Sequence, residues 1–179
     1  MNADKYQGKY RVASARLATW DYGRNAAYFV TICSDQHQHV FGRVIDDQVH
    51  LTALGQVAWD CWHAIPDHFS FVVLGEFVAM PNHVHGIVII DKPPSVETQN
   101  LASLRLPKNK FGPQSQNLAS IVRGFKIGVT KYARQQQISF VWQARYYDHI
   151  VRNAAECDRI RQYIIENPKK WADDRFYAP

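Results

Sequence analysis

An α+β fold is what the apolar periodicities of this chain spell, and three observations carry that expectation. Short β-branched and aromatic runs alternate with three stretches of helical period. Pro, Gly, Asn and Asp fall between these segments as turn signals. A 46% hydrophobic and 13% aromatic composition over 179 residues suits one ordinary core and excludes a disordered chain or a coiled coil.

The first 25 residues are basic and aromatic (Lys5, Tyr6, Lys9, Tyr10, Arg11, Arg16, Trp20, Tyr22, Arg24) without a period, and they read as an arm on the domain or on its ligand. Residues 26–171 read as a single domain. Tyr28 to Cys33 (YFVTIC) has the composition of a central strand. Val40 to Thr52 suggests a small hairpin turning at Asp46-Asp47. Thr52 then caps a helix through Trp62, with Leu54, Val57, Ala58 and Cys61 on one stripe. Phe71 to Met80 and His83 to Ile90 read as strands separated by the Pro81-Asn82 turn.

Residues 91–117 form a long basic loop, rich in Pro, Ser, Gln and Asn and carrying Arg105, Lys108 and Lys110. Within Leu118 to Gln136, Leu118, Ile121, Val122, Phe125, Val129 and Tyr132 recur at a helical period. Tyr146 to Val151 is strand-like. Asn153, with Glu156 three residues on, opens a last helix that Pro168 ends, and 172–179 is left as a tail. The first six principal elements spell βαββαβ, the ferredoxin-like arrangement, with one helix added at the C-terminal end.

A net charge of +5 suits a polyanionic partner, though weakly by itself. Cys33, Cys61 and Cys157 are scattered and odd in number, so they indicate neither a disulfide framework nor a zinc ribbon. No apolar run approaches the roughly 20 residues of a membrane span, and the N-terminus has no secretory pattern; a cytoplasmic protein is expected.

Chemistry concentrates in two places. On a strand, His83 and His85 point the same way and can share one cation, while Val84 faces the opposite side. His37-Gln-His39 repeats the pattern in a polar stretch that reads as loop. On the last helix, Tyr163 and Asn167 are four apart and share a face. Spacing alone favours a bland role for Tyr163, a core aromatic with its hydroxyl at the surface.

Three segments together resemble the HUH single-strand DNA transposases, in the branch of the REP-associated tyrosine and IS200-like transposases. They are Arg16-Leu17 with Trp20-Asp21-Tyr22 ahead of YFVTI, then Met80 to Gly86 (MPNHVHG), then Val141 to Arg152 (VWQARYYDHIVR) followed by Tyr163 to Pro168 (YIIENP). The likeness runs from about Arg16 to Trp171. It implies a ferredoxin-like catalytic domain, a divalent Mg²⁺ or Mn²⁺ on His83 and His85, Tyr163 as nucleophile and Asn167 completing the metal shell. It further implies cleavage and rejoining of single-stranded or hairpin DNA through a 5′-phosphotyrosine. The family includes assemblies in which two chains share an active site, so a homodimer is admitted. Two departures stand out: the loop is longer than the fold needs, and Tyr146 and Tyr147 offer rival hydroxyls.

For DNA contact, Arg123, Lys126 and Arg134 lie near one face of their helix, and Trp142, Tyr146, Tyr147 and His149 offer rings for stacking on unpaired bases. A solvated basic face and core packing account for the same residues equally well. Two competing functions remain open at this level: a non-catalytic ferredoxin-like nucleic-acid-binding module, and a metal-dependent phosphodiesterase that uses water.

Overall fold

The structure is a computed structural model that describes residue 17 and residues 19–94 and 115–177. Most of the basic arm, and Arg105, Lys108 and Lys110 of the long loop, lie outside the described residues. Strands β1 (Ala26–Cys33), β4 (Val72–Ala79), β5 (His83–Ile90) and β6 (Tyr147–Val151) form one antiparallel sheet in the order β4-β5-β1-β6. Helices α1 (Ala53–His63) and α3 (Leu118–Gln135) supply the two crossovers. This is the ferredoxin-like α+β fold, with α4 (Ala154–Glu166) as the added helix.

Local sequence explains each boundary. Asp46 and Asp47 both adopt positive φ (49° and 61°), the backbone of a two-residue turn whose twist suits a hairpin, and they join β2 (Gly42–Ile45) to β3 (Gln48–Leu51). The Thr52 hydroxyl caps α1 by accepting from the Gly55 N–H at 3.0 Å. Asn117 and Ser120 cap α3 reciprocally, and the Asn153 side chain accepts from the Glu156 N–H at 2.8 Å to open α4.

Alternation along the strands divides the interior in two. Tyr28, Val30, Ile32, Val84, Val88 and Ile90 meet Leu54, Ala58 and Trp62 of α1 and Ile121, Phe125 and Val129 of α3 in the larger core. Phe29 and Ile87 meet Ile164 of α4 on the other face. Gly86 makes the first contact tight: a Cβ there would lie 2.2 Å from Cζ2 of Trp62, so the bare backbone is what lets the indole close on β5. Arg161 of α4 bonds Glu76 (Nη2 to Oε1 2.7 Å), which sits where the β4 register slips between Leu74 and Phe77.

Two segments differ from expectation. A short helix, α2 (Ile65–His68), follows α1, with Pro66 in its first turn. α4 does end just before Pro168, but Asn167–Asp173 continues as a 3₁₀ helix, because proline is tolerated in a first turn where its missing N–H would have no partner. Trp171 is buried, and Phe176 packs on His83 and bonds Asn82, so the residues up to there are not a free tail. The His37-Gln-His39 stretch begins in a short 3₁₀ turn, Asp35–His37. No helix among the described residues is long and apolar enough to cross a membrane.

Candidate active site

Register assembles the site. Opposite Thr31 of β1 stand His85 of β5 and Tyr147 of β6; opposite Phe29 stand Ile87 and His149. Directly paired residues share a face, so these two rows lie side by side beneath α4. Helix α4 lays Tyr163 across them: its ring is edge-on to Phe29 (centroids 6.0 Å apart), and its hydroxyl lies 3.2 Å from Nε2 of His85.

The histidine pair is oriented from behind. Asn82 Nδ2 donates to the Phe176 carbonyl at 2.7 Å, which turns Asn82 Oδ1 toward His83 Nδ1 at 2.8 Å. His83 Nδ1 must therefore carry the proton, and its Nε2 keeps a lone pair. That lone pair points at His85 Nε2, 2.9 Å away. His85 Nδ1 meets the Thr31 hydroxyl at 2.8 Å, and its ring stacks on Phe29.

Both imidazoles are buried, at 0% and 1% exposure, and burial disfavours the charged form. His83 is held well below the ordinary histidine pKa by burial first, then by His85, His37 and Arg175. His85 is pushed down to about 3 by burial and then by Arg175. Neutral rings are what a metal needs. Burial and Asp174 raise the Tyr163 hydroxyl, while Asn167 and Arg175 pull the other way.

The donor set fits a divalent cation. Ligand atoms from His83, His85 and Asp174 all lie within 4.8 Å of one another. Two nitrogens about 2.1 Å from a six-coordinate ion at right angles are about 3.0 Å apart, close to the 2.9 Å between the Nε2 atoms. Asn167 is 2% exposed; its Nδ2 donates to Asp174 at 3.2 Å, and its buried Oδ1 has no hydrogen-bond partner among the described residues. An amide oxygen is a hard donor of the kind divalent cations take, and this one is linked through Asp174 to the cluster that could hold a metal ion.

Asp174 and its neighbours are what sequence reasoning missed. Asp174 Oδ1 accepts from the Phe176 N–H at 2.7 Å, and the Phe176 ring covers His83 with centroids 4.7 Å apart. An Asp-Asp-Arg stretch after a proline carries no periodicity that points back to a strand 90 residues earlier.

The residues expected at DNA divide into separate groups. Arg123, Lys126 and Arg134 line a groove of about 700 Å³ on α3, shared with Tyr146. Lys126 is already engaged: its Nζ donates to the Gln143 and Arg145 carbonyls at 3.1 and 2.8 Å, and burial lowers it to about 8. Trp142 packs among Phe41, Phe125 and Phe140, and its Nε1 donates to the Lys126 carbonyl. Tyr147 and His149 instead line a second pocket, together with Tyr163. Tyr146, just before β6, and Tyr147, its first residue, end in different grooves.

No family model matches the chain. A protein of Haemophilus influenzae, described as uncharacterized, is 39% identical over 172 residues, covering 96% of each chain. Among solved structures, the REP-associated tyrosine transposase bound to a REP hairpin superposes with a TM-score of 0.57 at 17% identity, over 89% of this chain and 74% of that one. At that identity the superposition speaks to the fold. The chain belongs to one family with the Haemophilus influenzae protein and has the fold of the REP-associated tyrosine transposase.

Proposed function

We propose that the chain is a metal-dependent tyrosine transposase that cleaves and rejoins single-stranded or hairpin DNA. One observation carries this reading: the Tyr163 hydroxyl lies 3.2 Å from His85 Nε2, which is itself 2.9 Å from His83 Nε2. A phenol beside two neutral metal-ligating nitrogens is the arrangement that phosphoryl transfer to tyrosine needs. The fold relative solved with a REP hairpin supports hairpin DNA as the substrate class.

His83, His85 and Asp174, with the Asn167 amide oxygen, would hold Mg²⁺ or Mn²⁺. When bound, the ion would polarise the phosphate oxygens and offset charge developing on them. Tyr163 attacks phosphorus, forming a Tyr–O–P bond as the P–O3′ bond breaks. The phenolic proton is lost and the 3′ oxygen leaves as a hydroxyl. Because the ester is exchanged, a second 3′-OH reverses the step without ATP. Burial keeps the phenol protonated at neutral pH, so the proton leaves only as attack proceeds. Asn82 and Thr31 fix the two imidazole rings, and Phe29 supports both His85 and Tyr163.

The test is incubation with labelled single-stranded hairpin DNA and Mn²⁺. An SDS-resistant adduct is expected, absent with EDTA and absent in Tyr163→Phe, while DNA affinity changes little. Cleaved strands without an adduct would mean hydrolysis by water. Binding with neither product would mean a non-catalytic module.

A further inference from the structure

A pocket of about 340 Å³ opens beside Tyr163, and its lining does not belong to the metal cluster. That volume sits at the low end of the roughly 300–1,000 Å³ of small-ligand sites, room for one nucleotide and not for a stretch of strand. Its walls are aromatic: Phe29, Tyr147 and Tyr163, with Tyr147 edge-on to Phe29 at 6.3 Å. Its polar groups are prepared in two different ways.

His149 is oriented. Its Nε2 lies 2.9 Å from Glu156 Oε1, and the second oxygen of that carboxylate accepts the Arg152 N–H at 2.7 Å. A carboxylate accepts, so Nε2 carries a proton, and the tautomer this fixes has Nδ1 as its acceptor. Arg159 is unspent. It stands one turn before Tyr163 on the same face of α4, lines the pocket, and has no acidic partner among the described residues. Arg161, two residues on, is by contrast paired with Glu76.

We infer that this pocket binds the nucleotide next to the scissile phosphate: Tyr147 stacks on the base, His149 accepts from a base N–H, and Arg159 holds the flanking phosphate. The inference rests on the DNA-cleaving reading above, because Tyr163 is a wall of the pocket and the attacking group at once. A flat aromatic wall, an oriented imidazole and a guanidinium with no acidic partner among the described residues are what a single nucleotide uses for stacking, base discrimination and charge. Arg159 is a positioning residue, since it acts on the neighbouring phosphate and not on the reacting one.

The experiment titrates the ¹⁵N-labelled protein, without metal, with each of the four deoxynucleoside 5′-monophosphates and with the corresponding deoxynucleosides. The amides of Tyr147, His149 and Arg159 should shift saturably, with dissociation constants on the order of millimolar that differ among the bases. Arg159→Gln, at an exposed position, should weaken every monophosphate about fivefold and erase the difference between nucleotide and nucleoside. Tyr147→Leu should weaken all of them. Unmoved amides at those positions, shifts confined to the α3 groove, or an Arg159→Gln protein that titrates like the parent would each overturn the pocket. The adduct assay separates the two readings. An adduct without pocket shifts removes the pocket and leaves the transposase; pocket shifts without an adduct keep the nucleotide site and remove the transposase.

Discussion

Two imidazoles with their Nε2 atoms 2.9 Å apart can both stay buried only while at most one proton lies between them, and this sets the acid response of the molecule. The unfolded chain protonates both rings as pH falls through about 6.5, whereas the folded site refuses the proton, His85 down to about 3. Stability is therefore full above about 6.5 and is lost as pH drops below it, at up to about 1.4 kcal/mol per ring per pH unit. Urea midpoints at about pH 7.5 and 5.5 should show the fall, and a His83→Gln/His85→Gln protein should show it much reduced. Equal wild-type midpoints would mean the rings titrate freely. The neighbouring Asn167 separates two roles in the same way. It is the C-cap of α4, yet its Oδ1 lacks a partner among the described residues. Asn167→Ala and Asp174→Asn should each weaken Mn²⁺ binding roughly tenfold, about 1.4 kcal/mol by calorimetry. If Asn167→Ala lowers the melting temperature and leaves Mn²⁺ affinity intact, capping is its role.

At the scale of elements, β5 serves two layers: its odd-numbered residues carry the histidines toward α4, and its even-numbered residues build the core against α1 and α3. Gly86 is where the second task is tightest. Gly86→Ala should collide with Trp62 and cost about 1–3 kcal/mol in denaturant melts, with weakened metal binding following from the displaced strand. An unchanged midpoint would show that the indole moves aside freely. This strand was the most legible part of the chain. Alternation around His83-Val84-His85 reports burial on both faces, and the Pro81-Asn82 turn sets its start. The helices were legible for the same reason, since caps such as Thr52, Asn117 and Asn153 act within four residues. Asp174 was not, because its place depends on a 3₁₀ turn after Pro168 and on Trp171 burying itself, neither of which leaves a repeat in the sequence.

Across the whole molecule, the ferredoxin-like sheet keeps its larger core and its chemistry on opposite faces. α1 and α3 stabilise one side; on the other, α4 and the C-terminal segment bring Tyr163 and Asp174 to the histidine pair, with Asn167 bonded to Asp174. Basic Arg123 and Arg134 line a groove on α3, whereas Tyr147 and His149 sit beside Tyr163, so the residues that sequence composition grouped together serve different surfaces. Linear patterning reports which face of its own element a residue takes, and it does not report which element lies opposite. In the proposed reaction Tyr163 becomes bonded to DNA under the control of a metal at His83 and His85. Digesting the Mn²⁺-dependent adduct with nuclease and protease and sequencing the nucleotide-bearing peptide by mass spectrometry tests it most directly. The nucleotide should be found on Tyr163, and none should form in a His83→Ala/His85→Ala protein. A nucleotide on Tyr147 or Tyr146, or an adduct that persists without the histidines, would contradict the account.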